Sequence, residues 1–110
     1  MIHFDFDKYD IRPDARPQLE EIAAYMRANP ADQVVIEGHC DERGTEEYNM
    51  ALGERRAMAA RSYLESLGIA SDRLHTISFG KERPLDPRSD EQAWALNRRC
   101  EFKVVKPATR

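Results

Sequence analysis

The sequence predicts a two-layer α/β (α+β) sandwich, in which a four-stranded mixed sheet carries two main helices on one face plus a short third helix. Three observations predict it. Stretches of period-two hydrophobicity alternate with stretches of helical period; the longest helical stretch opens on a capping residue and closes on a glycine; and 110 residues suffice for one core. A single domain over 1–106 follows, with a frayed tail over 107–110.

In the first segment Ile2, Phe4 and Phe6 alternate with His3, Asp5 and Asp7, the period of a strand with one buried face. Asp14 is placed to cap a helix whose Leu19, Ile22, Ala23 and Met26 recur at i, i+3, i+4 and i+7, with Pro17 tolerated in the first turn. Asn29-Pro30 closes it. A β-branched strand follows at about Gln33 to Glu37 and ends in the loop Gly38-His39-Cys40-Asp41-Glu42-Arg43-Gly44. Thr45 then caps a long helix running to Leu67, with Glu46 and Glu47 in its positive first turn and Gly68 as its stop. The third strand covers about Leu74 to Phe79. Ser89 and Gln92 have the spacing of a capping box for a short helix up to Asn97, and Cys100, Phe102 and Val104 alternate along the last strand.

Composition narrows the function. Hydrophobic residues at 41% and charged residues at 34% give a buried core under a solvated surface, which argues against disorder. A net charge of −3, with arginines scattered among acids, argues against sequence-independent nucleic-acid binding. No apolar run approaches the ~20 residues of a membrane span, and there is no secretory h-region, so the chain reads as a soluble fragment of a longer exported protein. No C-x-x-C or H-x-x-x-H spacing marks a metal site, and no cofactor is expected. Most aromatics, Phe4 and Phe6 included, are expected in the core rather than stacked on sugars.

One residue breaks the pattern. On the long helix Tyr48, Leu52, Ala59, Ala60, Tyr63, Leu64 and Leu67 share one arc, and Arg56 falls near its middle. A guanidinium aimed at a core costs several kcal/mol unless it meets a carboxylate or a polar cleft. Snorkelling or a structural ion pair would satisfy it. The alternative is Asp41, just upstream in a glycine-flanked loop at the same helix's N-terminal end. Two such charges around one cleft would match the opposite ends of an amino-acid zwitterion, so the chemistry implied is recognition.

Several blocks together carry a resemblance: Phe4-Asp5-Phe6-Asp7-Lys8-Tyr9-Asp10-Ile11, Glu37-Gly38-His39-Cys40-Asp41-Glu42-Arg43-Gly44-Thr45, Tyr48-Asn49, Leu52-Gly53-Glu54-Arg55-Arg56-Ala57, Phe79-Gly80-Lys81-Glu82 and Asn97-Arg98-Arg99. In identity, order and spacing they resemble the OmpA C-terminal-like (OmpA/MotB) family, and most closely its peptidoglycan-associated lipoprotein (Pal) branch, from about Ile2 to Val105. The resemblance implies noncovalent binding of peptidoglycan through the meso-diaminopimelate of the stem peptide. It maps the acid onto Asp41 and the cation onto Arg56, with Phe6, Asp7, Asn49 and Leu52 lining the site and the Asn97-Arg98 pair nearby. It also implies a periplasmic domain, anchored to the outer membrane by a lipid on a segment outside this sequence, and a TolB-like partner in a Tol-Pal system. Removing either charge is then expected to abolish binding and spare the fold.

The sequence departs from the common family pattern at Cys40 and Cys100. If the second and fourth strands are antiparallel neighbours, a Cys40–Cys100 disulfide and a pair of reduced thiols are alternatives. Two other functions stand beside wall binding: the anchoring domain of another OmpA/MotB-type envelope or motor protein, and a cell-wall peptidase using His39 and Cys40. The domain is expected not to be an enzyme.

Overall fold

A computed structural model describes residues 1–107. Its elements are β1 (Ile2–His3), α1 (Arg16–Ala28), β2 (Gln33–His39), α2 (Glu46–Ser66), β3 (Leu74–Gly80), α3 (Glu91–Asn97) and β4 (Arg99–Val105). The four strands form one sheet in the order β1-β4-β2-β3. β2 runs parallel to β3 and antiparallel to β4, and β4 runs antiparallel to β1, so the sheet is mixed as expected. Of the expected frayed tail, 108–110 lie outside the described residues.

The core lies between the sheet and α1 and α2. Alternation along β2 sends Val34 and Ile36 to the helix side, where they join Leu19, Ala23, Met26, Leu64, Leu74 and Cys100. The opposite face is partly open, with Ile77 at 42% exposure. Arg73 ties the α1–β2 connection together, its Nη2 donating to the carbonyls of Met26, Asn29 and Asp32.

Several boundaries differ from the sequence reading, each for a local reason. β1 is only two residues long. Phe4 still donates to the Arg98 carbonyl, but the chain then turns, with Lys8 N–H bonded to the Asp5 carbonyl and Asp7 in the left-handed region at φ 59°. Phe6 is therefore 54% exposed rather than in the core. Asp14 does not cap α1: it sits in a 3-10 turn over Pro13–Ala15, and Arg12 holds its carboxylate. α3 is capped by Asp90, which accepts from Ala93 N–H at 2.8 Å, one residue after the expected Ser89. Thr45 does cap α2, accepting from Tyr48 N–H at 3.1 Å, and Gly68 follows the helix at φ 93°. Tyr48 leaves the buried arc and is 47% exposed.

No disulfide joins the cysteines; both are free and buried. The register explains it. Cys100 lies opposite Gly38, so Cys40 is displaced by two residues, and such diagonal neighbours sit roughly 7–8 Å apart, beyond the usual span of a disulfide. The Cys40 thiol instead donates to the Asn49 carbonyl at 3.2 Å.

Candidate ligand-binding site

Where β2 ends, the chain passes through the 40–45 loop, which carries Asp41, into α2, which carries Arg56 near its middle. Asp41 and Arg56 are 4% and 1% exposed, and both line one cavity of about 230 Å³. Phe6, Asp7, Asn49 and Leu52 line it as well. Arg98 does not line the cavity but reaches Asp41 from behind, and Asn97 stands apart from both.

Arg56 is satisfied in an unexpected way. Among the described residues no carboxylate pairs with it; Nε donates to the Lys8 carbonyl at 2.8 Å, Nη1 to the His39 carbonyl at 2.9 Å and Nη2 to the Asp5 carbonyl at 3.1 Å. The side chain stitches the turn after β1 and the end of β2 onto α2. A guanidinium has five N–H groups, so two remain beyond these three carbonyls. Burial lowers the pKa of Arg56, which still leaves an arginine cationic at neutral pH.

Asp41 is held by arginines. Its Oδ1 accepts from Arg43 N–H at 3.0 Å, an Asx-turn that shapes the loop, and from Arg43 Nε at 3.3 Å. Oδ2 accepts from Arg43 Nη2 at 2.8 Å and lies 3.5 Å from Arg98 Nη1. Burial acts to raise the pKa of Asp41, but the hydrogen bonds from Arg43 and the charges of Arg43 and Arg98 outweigh it and hold the carboxyl below its ordinary range. Asp41 is a carboxylate at neutral pH.

The remaining expected residues divide. Asn49 supports the loop, donating to the Arg43 carbonyl at 2.8 Å, and Leu52 supplies an apolar wall. Asp7 accepts from the Tyr48 hydroxyl at the rim. Arg98 lies behind Asp41, with Nε on the Phe4 carbonyl at 2.9 Å and Nη2 on Glu91 at 3.0 Å. Asn97 lies outside this cavity. Its amide accepts from the N–H groups of Leu85 and Asp86 and donates to the Asp86 carbonyl, organising the loop before α3.

Sequence reasoning missed Arg43 and Trp94. The guanidinium of Arg43 lies 3.9 Å from the centre of the Phe6 ring and 4.0 Å from that of Trp94, and Trp94 donates to Glu42 at 2.7 Å. The signal for Arg43 was its place two residues after an aspartate, the Asx-turn spacing; no signal marked Trp94.

His39 and Cys40 do not pair. His39 is buried with Nε2 3.2 Å from Glu37 and its ring stacked on Phe79, while burial pushes the Cys40 thiol up to about 11 despite the nearby Arg56 charge. That is the wrong direction for a nucleophile. Glu37, His39 and Glu101 bring three donor atoms within 4.8 Å of one another. Both oxygens of Glu101 are already held, by Arg99 Nε at 2.7 Å and Lys103 Nζ at 3.0 Å, so this cluster is neutralised from within.

The OmpA family profile matches residues 3–98. The chain is 48% identical over 101 residues to the peptidoglycan-associated lipoprotein of Pseudomonas aeruginosa, covering 92% of this chain and 60% of that protein. It is 52% identical over 99 residues to the protein of the same name from Mesorhizobium japonicum, covering 90% of this chain and 59% of that one. The chain therefore spans about three fifths of the length of these relatives. Among solved structures, the peptidoglycan-associated lipoprotein of Burkholderia pseudomallei superposes with a TM-score of 0.92 at 39% identity, covering 94% of this chain and 88% of that one. The C-terminal domain of Helicobacter pylori MotB shares the fold, with a TM-score of 0.88 at 20% identity, covering 97% of this chain and 84% of that one. On the strength of a profile that spans β2, β3 and all three α-helices, this chain belongs to the OmpA family.

Proposed function

We propose that this domain binds peptidoglycan noncovalently through the meso-diaminopimelate of the stem peptide, with Asp41 receiving the ammonium and Arg56 the carboxylate of its free end. The observation that carries this reading is the cavity they share: a buried acid and a buried base border one space of about 230 Å³, large enough for the end of an amino acid. The two spare N–H groups of Arg56 are the natural donors for a carboxylate. Leu52 packs against the methylene stem, Phe6 and Asp7 form the rim, Asn49 fixes the loop, and Arg98 backs Asp41.

The name of the relatives, peptidoglycan-associated lipoprotein, supports the wall as target. In the same reading the domain is periplasmic and tethers the outer membrane to the wall through a lipid on a segment outside this sequence, with a TolB-like protein as partner. It acts by binding rather than turnover, consistent with a buried Cys40 whose thiol is hard to ionise.

Calorimetric titration with a muropeptide carrying diaminopimelate, against one carrying lysine, tests the reading. Lysine lacks the terminal carboxylate, so its muropeptide is expected to bind at least about tenfold more weakly, the loss of one charge-assisted contact. Equal affinity for the two would refute the assignment of Arg56.

A further inference from the structure

Asp41, the expected receptor for an ammonium, is not vacant. Its two oxygens accept three hydrogen bonds from Arg43, and Arg98 stands 3.5 Å away on the far side. Together with Arg56, three guanidinium groups gather around one buried carboxylate. An added ammonium would join an already cationic cluster, so it must take the place of a cation rather than sit beside it.

The two partners of Asp41 differ in freedom. The Arg98 side chain is 7% exposed and tied to the Phe4 carbonyl and to Glu91, whereas that of Arg43 is 32% exposed. Beyond Asp41, Arg43 is flanked by the faces of Phe6 and Trp94 and feels the charges of Glu91 and Glu42, contacts that count for little at solvent-exposed sites. Its backbone N–H bond to Asp41 does not depend on the side chain, so the guanidinium can swing into water while the loop keeps its shape.

We propose that Arg43 sets an affinity threshold for the site: its side chain is an internal counter-cation that occupies Asp41 in the free protein and must be displaced by the ligand's ammonium. The inference rests on the wall-binding reading above and adds a threshold to it. A simple amine replaces a forked guanidinium by a single point charge and gains nothing else. A zwitterion makes the same exchange and at once delivers a carboxylate to the spare N–H groups of Arg56, so it alone recovers the loss. The exchange at Arg43 is common to diaminopimelate and lysine, so it lowers the affinity for both alike, while the carboxylate contact at Arg56 separates them.

Trp94 is the chain's one tryptophan and lies against the Arg43 guanidinium, so its fluorescence reports the displacement. The test is titration of wild type, Arg43→Gln and Arg43→Lys with the diaminopimelate and lysine muropeptides, followed by calorimetry and by Trp94 emission. Arg43→Gln is expected to bind the diaminopimelate ligand about tenfold more tightly, the equivalent of one charge-assisted contact no longer broken. It is expected to bind the lysine ligand with a similar gain, leaving the discrimination that Arg56 supplies unchanged. Arg43→Lys falls between. Wild-type Trp94 emission shifts on saturation, and that shift shrinks in Arg43→Gln. Unchanged or weakened binding by Arg43→Gln, with wild type still binding, overturns this proposal and leaves the wall-binding reading standing. Binding by neither protein overturns both.

Discussion

Gly38 of β2 and Gly53 of α2 meet backbone to backbone. A Cβ on Gly38 would overlap the Gly53 carbonyl oxygen and come 2.6 Å from its carbonyl carbon. One on Gly53 would run into the Ser78 hydroxyl and approach the Gly38 carbonyl oxygen to 3.0 Å. This close crossing sets the height of α2 above the sheet. Arg56 lies three residues beyond Gly53 on the same helix face, so the crossing also brings its guanidinium within reach of the His39 carbonyl.

The two glycines should therefore not be equally replaceable. Gly38→Ala meets backbone that cannot step aside without lifting the helix, and is expected to cost at least about 2–3 kcal/mol. Gly53→Ala chiefly meets a hydroxyl that can rotate and should cost less. Urea denaturation of both variants checks the order. A Gly38→Ala protein as stable as wild type would mean that α2 does not need this crossing.

Arg56 and Asp41 are expected to separate in stability even though both serve the same cavity. Arg56→Ala strips partners from three carbonyls in two chain segments, that of His39 buried and those of Asp5 and Lys8 partly so, and should destabilise by about 3 kcal/mol. Asp41→Asn keeps the shape and one acceptor oxygen, and should cost about 1–2 kcal/mol. This revises the expectation that removing either charge spares the fold: only the Asp41 variant is a clean test of binding, and Arg56 needs the conservative Arg56→Lys. Denaturant midpoints for the three variants decide.

The fold and the charged pair were legible because they rest on patterns that local sequence carries. Period two and period 3.6 place β2, α2 and β4, the Thr45 cap fixes where α2 begins, and an arginine in an apolar stripe announces itself. What escaped depends on contacts between distant segments or on one backbone torsion. Phe6 continues the alternation of Ile2 and Phe4, yet the left-handed turn at Asp7 throws it to the surface. Asp14 has the right identity for a cap, but Arg12 claims its carboxylate. Three main-chain carbonyls as the partners of Arg56 could not be read from side-chain identities at all, and Arg43 became visible only when Phe6 and Trp94, 88 positions apart, closed on it.

Both cysteines should behave as thiols of unequal accessibility to reagents only after unfolding begins. Burial pushes the Cys40 thiol up to about 11 and raises Cys100 further, so the thiolate fraction of either is negligible at neutral pH. A disulfide-exchange reagent is expected to label neither in the native protein within minutes. It should count two thiols in denaturant without reductant. Fewer than two would restore the disulfide that the β2–β4 register argues against.

His39 gives the fold a dependence on pH near neutrality. Burial, with the positive charge of Arg99 beside it, lowers its pKa below the ordinary 6.5, against the opposing pull of Glu37 and Glu101. Burial lowers that of His3 in the same direction. Between the folded pKa and 6.5 the unfolded chain holds a proton that the folded protein does not, so stability rises with pH across this window and is lost as pH falls through it. The carboxylates act elsewhere. Asp41 is held below its ordinary range, and Glu101, which burial would raise, is brought to about 2 by Arg99 and Lys103; both contributions persist until the pH drops below about 4. Acidification from pH 7 to pH 5 is therefore expected to lower the melting temperature through the histidines alone. His39→Gln should flatten that slope, leaving the share of His3. An unchanged slope in His39→Gln would show that this buried imidazole takes up its proton as readily in the folded chain as in the unfolded one.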